Sequence, residues 1–517
     1  MSKNGYLSFT LRTLATLSIC FTLPYSWAQK KNTASKKPNI IWLMAEDMGT
    51  DLECYGTPGV QTPNLNRLAE EGTIFNKAYC PNPICSPNRS SMMVGAHQTV
   101  FNAHHHRSNR DRPLEAPYKP ITSWLRDAGY TCILGNDLVM LKGTKTDCNF
   151  KHTAVGPYDG VNHFGLFDRI GNFEAADQPF FNQVQLKVTH RGDWWNGIRE
   201  NSKDPVSVNK IQLPPFFADT PEIRYDWAAY LDTVEYMDNE VGLIMEDIKK
   251  KGLEKNTIVI FIADNGRCNL RGKGYLQESG IHVPMIVWAP GYLKPGTVVD
   301  ELVTTTDISA TVLKLANAHL PDYLTGKPIL GVDKPEYREY VRSARDIWDE
   351  IDECSRSITT KKFKYIRNYM PEVPWATDQA YLEINRPALH VMRRLKAEGN
   401  LSEAEMTFFH DNKPYEELYD LENDPDELNN LAENPEYAKV LKEMRARESE
   451  WQRENRDYGL EDLGNRFPEI GLAAEVAREG IKKHEPELWA RLEKGELMET
   501  QAWMRKYMDL KKKAAKK

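Results

Sequence analysis

Asn39-Ile40-Ile41-Trp42-Leu43-Met44-Ala45 runs without a break into Glu46-Asp47. A short, continuous apolar run of this kind is expected to form a buried strand. The pattern recurs where Thr257-Ile258-Val259-Ile260-Phe261-Ile262-Ala263 runs into Asp264-Asn265-Gly266. Residues 180–188 and 284–288 are further buried-strand candidates. Helical patterns lie between them at residues 63–71 (closed by Gly72), 122–128, 221–250 and 308–316. Strands alternating with helices predict an α/β domain with a largely parallel sheet. In such sheets the chemistry gathers beyond the carboxyl ends of the strands, where both acidic pairs would stand.

Outward from this frame, the chain has 517 residues, 41% of them hydrophobic and 27% charged, with a net charge of −7. That composition excludes wholesale disorder and a polytopic membrane protein. Mild acidity without a basic stripe argues against a nucleic-acid partner. Residues 1–28 read as a secretory signal: Lys3 and Arg12 are the positive region, residues 14–23 the apolar region, and Ser26-Trp27-Ala28 the cleavage site. The expectation is therefore export to the periplasm or the extracellular space, with no stable membrane anchor after cleavage. The predicted main domain covers residues 39–335. A smaller α+β domain over 336–455 is suggested by strand-like pieces at 339–342, 363–367 and 417–420. A helical extension with a Lys-rich tail occupies 456–517, with helical patterns near 471–478 and 485–508. Cys20 leaves with the signal. Cys54, Cys80, Cys132, Cys148, Cys268 and Cys354 could pair in an exported protein, in a pattern the sequence does not fix.

The most specific segment is Cys85-Ser86-Pro87-Asn88-Arg89-Ser90-Ser91-Met92-Met93-Val94-Gly95. It reads as a loop opening into a helix, whose N-terminus favours anions. An arginine four residues after the cysteine can grip a tetrahedral oxyanion. This C-x-P-x-R pattern followed by a helix and glycine resembles the signature of the formylglycine-dependent (type I) sulfatases of the alkaline phosphatase superfamily. The resemblance implies that Cys85 is oxidised to formylglycine (3-oxoalanine), whose hydrate is the nucleophile. It also implies that Arg89 stabilises that group and that a formylglycine-generating or equivalent maturation enzyme acts on the chain. Asn88 departs from the smaller residue usual in the family.

The rest of the chain is similar in order. Glu46, Asp47, Asp264 and Asn265 look like the family's metal ligands, with Cys85 completing the set, and hard oxygen donors suit Ca²⁺, with Mg²⁺ as the alternative. Lys273, in Lys273-Gly274-Tyr275-Leu276-Gln277-Glu278-Ser279-Gly280-Ile281-His282, matches a sulfate-contacting lysine, although Ser279 and His282 depart from the family's glycine and arginine. The family's G-K-x-H element is displaced. Read without a gap, it falls on Asn136 and Leu138. With an insertion it falls on Gly143-Thr144-Lys145-Thr146-Asp147, so that Lys145 contacts sulfate and Asp147, counted among the substrate-binding candidates, takes the histidine position as a base or metal-linked acceptor. His190, at the end of the 180–188 strand, is the candidate general acid.

Two further clusters suggest substrate contacts. In His104-His105-His106-Arg107-Ser108, His105 and Arg107 are the candidates, with an exposed loop as the plain alternative and a transition-metal site the least favoured. Arg345 and Asp346, in Arg345-Asp346-Ile347-Trp348, suit sugar recognition or, equally, a structural ion pair. The string from Glu417 to Leu431 is read as a structural strand and turn.

Together the resemblance implies an alkaline-phosphatase-like fold and a sulfatase that acts on a sulfated polysaccharide or oligosaccharide. Cys85, Arg89, Lys145, His190 and Lys273 form its catalytic set. The alternatives are a sulfamidase resembling N-sulfoglucosamine sulfohydrolase, a phosphodiesterase or phosphonate hydrolase of the same superfamily, and a glycan-binding pseudoenzyme. The helical extension suggests either a lid or a homo-oligomer surface.

Overall fold

The computed structural model describes residues 37–465 apart from positions 193 and 378, together with residues 479, 482, 483 and 486–493. The signal segment, the helical pattern at 471–478 and the Lys-rich tail lie outside the described residues. From residue 37 on, the described chain forms a single compact unit.

The main sheet contains β1 (Asn39–Ala45), β2 (Thr73–Tyr79), β3 (Thr131–Leu134), β6 (Arg169–Ile170), β7 (Phe180–Leu186), β8 (Thr257–Ala263), β9 (His282–Val283), β10 (Met285–Trp288) and β11 (Thr297–Thr304), and a separate pair is formed by β4 (Thr153–Val155) and β5 (Gly165–Phe167). The order is β11-β2-β10-β8-β1-β7-β3-β6, with β9 beside β2. Every residue of β1, β7 and β8 is buried, in β1 and β8 along nearly continuous apolar runs and in β7 with Asn182, Gln183 and Gln185 among the buried residues. β1 pairs in parallel with both neighbours, placing Ala45 opposite Leu186 on one side and Ala263 on the other. Three strands therefore end at one level, and residues 46–47, 187–190 and 264–265 emerge together. The sheet is mixed rather than wholly parallel, because β10 runs antiparallel to both β8 and β2.

The main-domain helices are α1 (Pro63–Glu71), α2 (Cys85–Val94), α3 (Ile121–Asp127), α4 (Trp194–Asn201), α5 (Pro221–Lys250), the short α6 (Glu278–Ile281) and α7 (Thr305–Leu315). α5 begins where the sequence places it: Pro221 occupies the first turn and the Thr220 hydroxyl accepts from Ile223 N at 3.3 Å. α1 and α4 both pack on α5, and α2, α3 and α7 pack on one another, giving two helix groups about the sheet.

The smaller sheet has the order β12 (Val341–Arg345), β13 (Ser355–Thr359), β14 (Phe363–Asn368) and β15 (Glu416–Asp420), all antiparallel. Helices α8 (Ala380–Asn385), α9 (Pro387–Glu398) and α10 (Glu403–Met406) lie between β14 and β15, followed by α11 (Ala438–Glu454), α12 (Tyr458–Glu461) and α13 (Pro486–Glu493). Ile358, Tyr365, Leu418, Leu441 and Met444 form a core between this sheet and α11. After β15, Asp424 caps the turn by accepting from Leu428 N and Asn429 N at 3.0 and 2.8 Å, the structural role expected of that string. β13, α8 and α9 have no counterpart in the sequence reading. Among the described residues all seven cysteines are free thiols, and no helix is long and apolar enough to cross a membrane.

Candidate active site

α2 starts at the residue that matters. Ile84 is extended, its N–H donates to Asn82 Oδ1 at 2.9 Å, and the helix opens at Cys85 with every residue buried. Gly95 ends it in the left-handed region (φ 79), where its N–H bonds Ser91 O. A Cβ there would lie 2.5 Å from the Leu324 side chain, so helix and neighbour meet closely only with glycine. Cys85 Sγ lies 3.4 Å from Asp47 Oδ1. Burial, followed by the Asp264 carboxylate, pushes the thiol well above its ordinary range.

Glu46, Asp47, Cys85 and Asp264 bring one potential ligand atom each to within 4.8 Å of one another. Asn265 stands beside them, its Nδ2 donating to Asp47 Oδ1 at 3.0 Å. Two buried oxygens in this group, Glu46 Oε2 and Asn265 Oδ1, have no hydrogen-bond donor. Three fully buried carboxylates with such orphaned acceptors fit a hard divalent cation.

Cations surround the group. Arg89 Nε donates to Asp264 Oδ2 at 2.9 Å and its guanidinium also reaches Gln185 Oε1 on β7. Lys273 Nζ donates to Asp47 Oδ2 at 2.9 Å, and Lys145 Nζ bonds Glu46 Oε1. Burial would lower Lys273, but Asp47 outweighs it and its pKa is raised, whereas in Lys145 burial wins and the pKa is lowered. His190 sits in the turn after β7. Its Nδ1 donates to Arg191 O at 2.9 Å, which leaves Nε2 facing the carboxylates, 3.7 Å from Asp47 Oδ2 and 3.9 Å from Glu46 Oε1. Burial first, then Lys273 and Lys145, hold its pKa well below the usual histidine range.

All nine residues expected in the catalytic and metal sets thus meet at the strand ends. Of the two readings of the displaced element, the one with an insertion brings its lysine to the site: Lys145 reaches Glu46, while Asn136 caps Leu138 N at 3.0 Å and Leu138 is exposed. Asp147 is tied up in ion pairs. Burial would raise its pKa, but Lys145 and Arg107 overcome that and hold the carboxyl far below the usual range. It accepts from Arg107 Nε and Nη2 at 3.1 and 2.9 Å, and from Arg110.

The other substrate candidates divide. Arg107 is at the mouth and half exposed. His105 instead ties its loop to the smaller sheet, accepting from Ile347 N at 3.3 Å with Asp462 3.8 Å away. Arg345 and Asp346 are buried in internal ion pairs, with Glu353 at 2.8 Å and Arg356 at 3.1 Å respectively. Desolvated and paired, they brace the smaller sheet and do not face the pocket as sugar contacts. Asn88, the departure in the motif, bridges Asp264 O and Thr305 Oγ1 and so locks α2 to β8 and α7.

Sequence reasoning missed three neighbours of the site. Gln185 carried a legible signal, a polar residue inside a buried strand. Arg110 lies in a loop that reads as solvated charge. Tyr381 on α8 packs its ring 5.0 Å from Lys273 Nζ, with a buried hydroxyl that has no partner, and nothing in its local pattern marks it.

The sheet and this site define a hydrolase of the alkaline-phosphatase-like α/β class. The chain belongs to the sulfatase family, whose sequence profile matches residues 38–318, and the C-terminal profile of N-sulphoglucosamine sulphohydrolase matches residues 266–380. It is 32% identical over 454 residues to an ulvan-active sulfatase of Formosa agariphila, covering 80% of this chain and 75% of that one. It is 26% identical over 470 residues to N-sulphoglucosamine sulphohydrolase of Homo sapiens, covering 81% of this chain and 90% of that one. Among solved structures, a 2-O GAG sulfatase superposes with a TM-score of 0.58 at 19% identity, over 84% of this chain and 95% of that one. The protein is accordingly a sulfuric ester hydrolase.

Proposed function

We propose that the protein is an exported sulfatase that removes sulfate from a sulfated polysaccharide or oligosaccharide, using formylglycine made from Cys85 and a bound Ca²⁺. The observation that carries this reading is the gathering of Glu46, Asp47, Asp264 and Asn265 around Cys85, with two buried oxygens left without donors. Those four residues and residue 85 would hold the cation, which when bound supplies Lewis-acid polarisation of a sulfate oxygen.

The chain's own groups do the rest. Arg89 orients the hydrated aldehyde at position 85 and is itself fixed by Asp264 and Gln185. Lys145 and Lys273 balance the charge of the sulfate as one hydroxyl of the hydrate gives up its proton to the adjacent Asp47 carboxylate and its oxygen bonds to sulfur. The S–O bond to the sugar breaks, and His190 Nε2 delivers the proton to the departing oxygen. Burial first and then the two lysines hold His190 below its usual range, and the arriving anion works against the lysines' share of that shift. The remaining hydroxyl of the sulfated hydrate then gives its proton to the now neutral His190 as the C–O bond to sulfate breaks, which releases sulfate and restores the aldehyde, and water re-forms the hydrate. Maturation of Cys85 requires a formylglycine-generating or equivalent enzyme, and residues 1–28 supply the export signal.

A second reading, N-sulfate hydrolysis, is favoured by the sulfamidase-type profile over residues 266–380. Metal analysis combined with sulfate release from a panel of O- and N-sulfated glycans tests both, with an aryl phosphodiester assayed in parallel. Ca²⁺ in the purified enzyme with sulfate release from an O-sulfated glycan is the expected result. Phosphodiester turnover without sulfate release would refute it.

A further inference from the structure

Three cations at the mouth of the site share one carboxylate. Asp147 is 7% exposed and accepts from both Arg107 and Arg110, while Lys145 Nζ lies 3.4 Å away. The carboxylate is sunk and the two arginine side chains are 46% and 45% exposed, so their outer edges face solvent. One negative charge cannot neutralise three positive ones. With Glu46 on Lys145 claimed by the proposed cation site, Asp147 and Asp349, whose charge reaches Arg107, are two carboxylates against three cations.

The arrangement is also held in place. Arg107 and Asp147 both adopt left-handed backbone conformations, with φ of 55 and 53. Such conformations are strained for a non-glycine residue and concentrate at functional positions. Flanking bonds pin the loop: His106 N to Ile347 O at 2.9 Å, and Asn109 N to Asn149 Oδ1 at 2.9 Å. Lys145 connects this pair of arginines directly to the catalytic carboxylates, since its ammonium touches both Asp147 and Glu46.

We infer that Arg107 and Arg110 form a second anion subsite, which takes a carboxylate or a further sulfate carried by the substrate beside the sulfate that is cleaved. This rests on the sulfatase reading above and narrows its substrate class to glycans bearing at least two anionic groups near the reacting bond. Planar guanidinium groups suit both candidate anions, which they engage through paired N–H donors. Fixed positive charge at a cleft mouth also draws polyanionic chains toward the reacting centre.

The test compares matured wild-type enzyme with Arg110→Gln on four substrates: an aryl monosulfate, a neutral disaccharide monosulfate, the same disaccharide carrying a uronic acid, and a disulfated one. Arg110→Gln leaves Arg107 on Asp147 and is exposed, so folding is preserved, and Arg110→Lys is the second variant. The expected result is a kcat/KM for the two-anion substrates that falls about 10- to 100-fold relative to the monosulfates. Arg110→Lys should retain part of the preference, and salt should erode it in the wild type. Whichever of the uronate and disulfate arms shows the loss identifies the anion. A uniform fall on all four substrates would overturn the inference, because it would make the arginines mere struts for Asp147. Absence of sulfate release from every substrate by the wild type would instead overturn the sulfatase reading beneath it.

Discussion

His190 shows how one hydrogen bond sets a role. Because Nδ1 is committed to the Arg191 carbonyl, the ring presents Nε2 to the carboxylates and cannot turn away without losing a buried bond. His190→Gln keeps a hydrogen-bonding side chain and loses the transferable proton. Its kcat on a sugar sulfate is expected to fall about 10²- to 10⁴-fold. The fall should be much smaller on an aryl sulfate, whose leaving group needs no proton. Steady-state kinetics across leaving groups of graded basicity check this: the variant should show a steeper dependence than the wild type. An equal loss on all substrates would reassign His190 to sulfate binding alone.

At the scale of elements, α5 carries a buried acid outside the site. Glu240 accepts from Met140 N at 2.6 Å, its second oxygen has no partner, and burial raises its pKa from 4.5 to about 7. The folded chain therefore binds more protons than the unfolded chain between those values, so stability falls as pH rises through that window and levels off above it. Glu240→Gln should remove about 2–3 kcal/mol of that fall. Urea midpoints at pH 5 and pH 8 read the effect, with the variant less pH-sensitive than the wild type. The elements themselves were unequally legible. β1 and β8 could be read because a strand buried on both faces is apolar along nearly its whole length, and because acidic pairs mark where they end, whereas β7 was legible from its apolar ends despite Asn182, Gln183 and Gln185. β13 could not: Arg356 inside it is buried only because Asp346, just after β12, and Asp457, 101 residues on, neutralise it, and in sequence Ser355–Thr359 looks solvated. α9 carried its own signals, Pro387 in the first turn and Gly399 as a left-handed cap, inside a stretch whose charges obscured its apolar stripe. The metal and nucleophile residues could be read from motif and strand end. Asp147 could not be assigned its role, because its three cationic partners come from two separate loops.

On the scale of the whole molecule, the smaller sheet supports the nucleophile loop. Ala344 N donates to Pro81 O at 2.9 Å, Ser343 Oγ to Cys80 O at 2.7 Å, and Asn82 Nδ2 to Ala344 O at 2.8 Å. A buried network holds that sheet to the segment after α11: Asp457 pairs with Arg342 and with Arg356 at 2.6 and 2.8 Å. Asp457→Ala leaves two buried arginines short of a counter-charge and is expected to cost about 3–5 kcal/mol. Calorimetry should show a lower Tm, and activity should be lost at a correspondingly lower temperature because the Cys85 loop loses its backing. The central claim is that Cys85 becomes the nucleophile only after oxidation. Peptide mapping of the Cys85 segment, on enzyme produced with and without a formylglycine-generating enzyme, tests it most directly when each preparation's sulfate release is recorded. The expected result is an aldehyde at position 85 whose fraction tracks specific activity. Full sulfate release from a preparation in which Cys85 is still an intact thiol would contradict it.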